Sequence, residues 1–155
     1  MKRNIPPFEL LLVEDDPMQV KLMELQLKSI KSECFTASTN LSVVRDGVAA
    51  QDYLYQALER QVPRPDLILL DLNMPRMGGQ KFLEWLRNES DFRLKCIPVV
   101  VLSTSRNQEE ALNAYRQQIA AFVPKPTDIT ALRSILESMQ QLWVKFSLKL
   151  PDVED

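Results

Sequence analysis

Short, almost wholly apolar runs alternate along the chain with longer stretches in which apolar residues recur every three or four positions. The short runs predict strands at Phe8 to Val13, Leu41 to Arg45, Leu67 to Leu70, Val99 to Leu102 and Ala121 to Val123. Between them lie helix-period segments. Pro17 to about Ile30 places Val20, Met23, Leu27 and Ile30 on one face, and Gly47 to Arg60 turns Ala50, Leu54 and Leu58 inward. Further helices are expected from about Gln80 to Asn88, from near Asn107, and from about Thr127 past Trp143. Punctuation agrees with the periods. Asp16 before Pro17 reads as an N-cap followed by a first-turn proline, Pro63-Arg64-Pro65 breaks the chain, and Asn107 with Glu110 has capping-box spacing.

Five strand-helix units in succession, with right-handed crossovers, predict an α/β fold with a doubly wound parallel sheet in three layers. The flavodoxin-like strand order 2-1-3-4-5 is the economical one. The run Val99 to Leu102 is so apolar that both of its faces should be covered. At 155 residues and 45% apolar content, one domain is expected. We divide the chain into an extension at residues 1–7, the domain at 8–148, and a tail at 149–155 whose acidic end from Pro151 onward should fray.

Charge and composition exclude several classes. A net charge of −2, a sequence pI of about 5.3 and no Lys/Arg run leave no footprint for nucleic acid. Cys34 and Cys96 fall in no metal or redox pattern and read as unpaired thiols. No segment is apolar enough for a signal or a membrane span, so a cytoplasmic location is expected. With no histidine in the chain, there is no His general base, His-activated nucleophile or His metal ligand. Carboxylates, hydroxyls and amines must carry the chemistry.

Those groups collect at the strand ends. Asp71 closes the apolar run Leu67 to Leu70, ahead of Asn73-Met74-Pro75-Arg76-Met77-Gly78-Gly79. Glu14 and Asp15 follow the first strand, Ser103 and Thr104 the fourth, Lys125 the fifth. In such sheets ligands gather at the carboxyl ends of the strands. Three carboxylates crowded there repel one another unless a cation intervenes, and Mg²⁺ suits an all-oxygen set. Asp15 and Asp71 are assigned as direct Mg²⁺ ligands, Glu14 as a direct or water-mediated one, and the Asn73 backbone carbonyl as a further ligand. Lys125 supplies a mobile positive charge for a phosphoryl oxygen. Asp16, beside Pro17, is read as a helix cap and not a ligand.

Val13-Glu14-Asp15-Asp16, Leu70-Asp71 with Met74-Pro75 and Gly78-Gly79, Pro98 to Ser103, and Lys125-Pro126 together resemble the receiver domain of two-component response regulators. The resemblance spans nearly the whole chain and implies the same strand order. It implies that Asp71 accepts a phosphoryl group from a phosphohistidine on a sensor histidine kinase, with Mg²⁺ bound, and that the protein signals by contact and is not an enzyme in the ordinary sense. It makes Ser103 the switching hydroxyl and Phe122 the aromatic that follows it inward. Phe122 lacks the hydroxyl of the tyrosine often found there, and Thr104 stands where the family often has a smaller residue. The Lys125-Pro126 bond is usually cis in receivers, whereas the sequence alone favours trans by about 0.5 to 1 kcal/mol, so either isomer stays open. Without an established partner, helix-one residues Met18, Gln19, Leu22 and Gln26 are candidate kinase contacts.

A narrower resemblance rests on Arg64-Pro65-Asp66, Asn73, and the ending Leu142-Trp143 through Leu148-Lys149-Leu150-Pro151. These are similar to the single-domain response regulators of cyanobacterial bacteriophytochromes, which implies a phytochrome-class kinase and no attached DNA-binding domain. Such relatives often pair as homodimers through the face formed by the fourth strand, fourth helix, fifth strand and last helix. In this chain Ile129, Leu132, Leu136, Met139, Trp143 and Phe146 make a stripe that Ile135 and Leu142 widen beyond what one sheet face needs. Two other functions remain in view. One is a receiver-like module that binds partners without phosphorylation. The other is a haloacid-dehalogenase-type hydrolase, disfavoured because Asn73 stands where that class needs a second aspartate as acid/base.

Overall fold

All five apolar runs form strands of one parallel sheet, in the order β2-β1-β3-β4-β5, in a computed structural model that describes residues 7–30, 39–74, 76–146 and 150–151. The strands are β1 (Phe8–Val13), β2 (Thr39–Val44), β3 (Leu67–Leu70), β4 (Val99–Ser103) and β5 (Ala121–Pro124). The helices are α1 (Pro17–Ser29), α2 (Gly47–Leu58), α3 (Gly79–Asn88), a single turn α4 (Phe92–Lys95), α5 (Gln108–Arg116) and α6 (Ile129–Met139). The doubly wound expectation and its strand order both hold.

Alternation along the central strands divides the core in two. Leu11 and Val13, Ile68 and Leu70, Val99 and Val101 face a cluster with Ala50 and Leu54 of α2, Phe82, Leu83 and Leu86 of α3, Leu94 of α4 and Ala114 of α5. Leu10 and Leu12, Leu67 and Leu69, Val100 and Leu102 face Met23 of α1 and Leu132, Leu136 and Met139 of α6. β3 and β4 are buried throughout, as strands covered on both faces must be.

Boundaries shift where pairing overrides local pattern. β2 begins at Thr39 because Thr39 and Asn40 pair with Phe8 and Glu9. The turn α4, which the sequence did not suggest, is capped by Asp91, whose carboxylate accepts the Arg93 amide at 3.0 Å. Asp16 caps α1 and accepts the Met18 amide at 2.9 Å. Asn107 caps α5 through the Glu109 and Glu110 amides. The capping box is not closed, however, since the Asn107 amide donates to Ser105 Oγ at 3.1 Å. The last helix starts at Ile129, capped by Asp128, and passes at Gln140 into a wider π-helical stretch, Gln140–Phe146. Ile129, expected on the buried stripe, is 55% exposed. The side chain of Phe146, the far end of that stripe, lies outside the described residues, as does Cys34. Cys96 is an exposed free thiol.

The amino edge of the sheet, away from the candidate site, is closed by side chains. The Glu9 amide donates to Asp66 Oδ2 and the Asp66 amide to the Glu9 carbonyl, both at 2.8 Å. Arg87 of α3 donates to the carbonyls of Lys95, Ile97, Gln117 and Gln118 at 2.6 to 3.1 Å, joining the loops that feed β4 and β5. Arg64 Nη2 donates to the Leu150 carbonyl at 2.7 Å, so two stretches singled out by the narrower sequence resemblance touch.

Candidate functional site

Glu14, Asp71 and Lys125 each stand one step beyond a run of strand pairing, and the backbone pins them there. The Glu14 amide donates to the Val44 carbonyl at 3.0 Å, the Asp71 amide to the Val13 carbonyl at 3.0 Å, and the Lys125 amide to the Ser103 carbonyl at 2.7 Å. Gly79 opens α3 directly under Asp71. A Cβ at that position would lie 2.7 Å from the Asp71 carbonyl oxygen and from Leu72 Cα, so only glycine lets the helix start this close.

Glu14 and Asp71 are buried, Asp15 is half-buried, and one carboxylate oxygen from each lies within 4.8 Å of the others. Lys125 reaches across them. Its Nζ is 2.8 Å from Glu14 Oε2 and 3.5 Å from Asp71 Oδ2. On the opposite side, the Asn73 amide donates to Asp71 Oδ1 at 3.2 Å. The Lys125–Glu14 pair holds its members unequally. Burial pushes the Glu14 carboxyl above its usual range despite the Lys125 hydrogen bond, with the nearby Asp71 charge adding to the rise. Burial would lower Lys125, but the hydrogen bond to Glu14 and the Asp71 and Glu14 charges outweigh it and raise its ammonium above the ordinary 10.5. The lysine is thus held charged while the deeper carboxylate is pressed toward its neutral form.

The donor set fits a hard cation. Three carboxylates and no nitrogen or sulfur ligand converge, and one ammonium offsets less charge than they carry. A cavity of about 120 Å³ opens beside Glu14, Asp71 and Lys125, with an apolar floor of Leu12, Leu70 and Leu102 and a rim of Leu22 and Ile129. Asp16 serves as a cap, as expected, and its amide also donates to Glu14 Oε1 at 3.3 Å.

The remaining candidates stand further back. Ser103 is fully buried and its Oγ accepts the Ser105 amide at 3.1 Å, while Thr104 is exposed. Phe122 is half-buried against the core under α2, α3 and α5, and its amide donates to the Tyr115 hydroxyl at 3.2 Å. That tie was not legible in the sequence, since nothing in the spacing of Tyr115 marks a bond to an edge strand. No peptide bond among the described residues is cis, so Lys125-Pro126 takes the trans form that the sequence alone favours.

A family model described as the response regulator receiver domain matches residues 10–137. The chain belongs to that family. This receiver is 35% identical to the response regulator Rcp1 of Synechocystis sp. over 141 residues, 90% of this chain and 91% of Rcp1. It is 32% identical over 140 residues to the probable methanogenesis regulatory protein FilR2 of Methanothrix harundinacea, covering 89% of this chain and 84% of that protein. Among solved structures, the phosphorylated cyanobacterial phytochrome response regulator RcpA superposes with a TM-score of 0.81 at 33% identity, over 94% of this chain and 99% of RcpA. The Mn²⁺-bound form of Rcp1 gives a TM-score of 0.78 at 32% identity, over 94% and 100% of the two chains. The receiver is therefore a response regulator of the two-component type, in a signalling family, with phytochrome-associated relatives.

Proposed function

We propose that the receiver takes a phosphoryl group onto Asp71 from a phosphohistidine of a sensor histidine kinase of the phytochrome class, with Mg²⁺ held by Asp15, Asp71, Glu14 and the Asn73 carbonyl. The observation that carries this reading is the charge-unbalanced cluster: Glu14, Asp15 and Asp71 within 4.8 Å, with Lys125 bridging Glu14 and Asp71. A Mn²⁺-bound relative and a phosphorylated one support it.

An Asp71 oxygen attacks phosphorus in line as the bond from phosphorus to the histidine nitrogen breaks. The metal, when bound, neutralises charge on the acceptor and phosphoryl oxygens. Lys125 leaves Glu14 for the new phosphoryl oxygen, a short move given its position between Glu14 and Asp71. The Ser103 hydroxyl, whose oxygen already accepts the Ser105 amide, retains its proton to donate to the same group. Phe122 and Tyr115 then carry the change to β5 and α5 by packing and through the bond that joins them.

In this reading residues 8–148 form the receiver unit, which acts in the cytoplasm. No helix among the described residues is long and apolar enough to cross a membrane. A homodimer through β4, α5, β5 and α6 accounts for the half-exposed Leu112 and Tyr115 of α5, and sedimentation at high protein concentration tests it.

Intact mass after incubation with acetyl phosphate tests the central claim. One phosphoryl group should be gained with Mg²⁺, none after its removal, and none in Asp71→Asn. Failure with both acetyl phosphate and a phosphorylated kinase domain would leave a phosphorylation-independent binding module.

A further inference from the structure

The loop after the acceptor, from Leu72 to Gly78, is tied to a second element that neither the motif nor the carboxylate cluster includes. Asp46 caps α2 with one oxygen, accepting the Ala49 amide at 2.8 Å, and uses the other to accept from Arg76 Nε at 2.7 Å. Asp46 is 6% exposed, so this is a buried carboxylate reaching out to a loop arginine. The arginine, with the Ala49 amide, holds its carboxyl below the usual range. Beside the pair, the Gly47 amide donates to the Met77 carbonyl at 3.1 Å, and a Cβ on Gly47 would lie 2.6 Å from Met77 Cγ. The approach is too close for any other residue.

Arg76 sits at φ 61°, in the left-handed region that arginine seldom adopts and glycine adopts freely. A residue is kept there only when its surroundings over-determine it. Here the surroundings are Asp46 and the Gly47–Met77 bond. The same turn also touches the other side of the site, because the Glu14 amide donates to Val44, the last residue of β2 and two before Asp46. One turn therefore frames both the carboxylates of β1 and the loop that carries Asn73.

We propose that Asp46 and Arg76 are a positioning pair for phosphotransfer: their ion pair fixes the Leu72–Gly78 loop so that Asn73 keeps its place beside Asp71, at the metal-binding side of the site. The inference rests on the phosphoacceptor reading above. Neither residue touches the phosphoryl group. Both act through the loop, with Arg76 in its left-handed conformation as the strut between the α2 cap and Asn73.

The test compares the wild-type protein with Asp46→Asn, Arg76→Gly and Arg76→Lys. Asparagine still caps α2, and glycine removes the conformational cost at residue 76, so a purely structural role predicts unchanged or improved melting for Arg76→Gly. A positioning role predicts three results. The Mg²⁺ dissociation constant, by calorimetry without phosphodonor, rises about two- to fivefold in Asp46→Asn and Arg76→Gly, the range supported by an ion pair whose arginine is solvent-exposed. Amide exchange across residues 72–79 quickens in both. Arg76→Lys, which keeps a charge for Asp46, recovers part of the affinity. The double variant should be no weaker than the weaker single one, since both remove the same bond. Unchanged Mg²⁺ affinity and exchange in both single variants would overturn the proposal. Wild-type protein that takes up neither Mg²⁺ nor a phosphoryl group would overturn the functional reading instead, which separates the two failures.

Discussion

The two edges of the sheet handle charge in opposite ways. At the amino edge, Arg87 spends its guanidinium on four backbone carbonyls, and Asp66 closes the first pairing of β1 with β3. The charged side chains there are spent on backbone groups, and burial presses the Arg87 guanidinium below its ordinary range without gathering like charges around it. At the carboxyl edge three carboxylates face one lysine, and burial raises rather than lowers the Glu14 carboxyl. A buried carboxylate pressed away from its charged form inside a cluster of like charges marks a candidate functional site. The contrast locates function by imbalance and stability by completion.

Arg87→Met should show the largest effect on folding. It leaves four carbonyls at loop and helix ends without their donor, and we expect a loss of about 3 kcal/mol in urea unfolding. Added Mg²⁺ should restore none of it, and Asp71 should still be phosphorylated once the protein is folded. Restoration by Mg²⁺ would erase the distinction between the edges.

Lys125→Met should cost about 2 kcal/mol at neutral pH without metal, because it strips the ammonium from buried carboxylates. Mg²⁺ should recover much of that loss while phosphorylation stays slow. The penalty has a pH limit. Lys125 has a raised folded value, so its stabilisation is present below its usual 10.5 and fades as pH climbs through the higher folded value. The wild-type and Lys125→Met unfolding curves should converge there.

Glu14→Gln should act in the other direction, raising metal-free stability by roughly 0.5–1 kcal/mol while weakening Mg²⁺ binding. The folded protein binds a proton at Glu14 more tightly than the unfolded chain does. Between the ordinary 4.5 and the raised folded value, wild-type stability therefore gains a contribution as pH falls, and Glu14→Gln should lack it. A variant that melts lower than wild type at pH 7 without metal would show that the Lys125 bond outweighs burial.

The smallest effect concerns Thr104. Its exposed side chain stands beside buried Ser103, and Thr104→Ala should shorten the phosphoaspartate lifetime about twofold by admitting water. An unchanged lifetime removes that shielding role.

Much of this was readable before any coordinates. The strands that carry Glu14, Asp71 and Ser103 are continuous apolar runs, which fix both their state and the place where a polar residue must leave the core. The Asp16 cap followed from local chemistry alone. What escaped depends on contacts between distant segments. Thr39 and Asn40 are strand because Phe8 and Glu9 face them, and α4 is four residues, too short for a period to register. Arg76 and Asp46 are thirty residues apart with no motif joining them, and the left-handed turn at Arg76 bears no glycine to announce it. Exposed Ile129 departs from the expectation drawn from helical period, which does not see the loop that sets the start of α6.

The Arg64–Leu150 hydrogen bond also bears on how the protein is handled. Arg64 precedes β3 at the edge opposite Asp71, and its second donor nitrogen lies 3.5 Å from the Pro151 carbonyl. A fluorescent reporter or surface tether placed at Pro151 thus sits on the floor of the molecule. A receiver immobilised from that side should leave the edge that carries Glu14, Asp71 and Lys125 unobstructed.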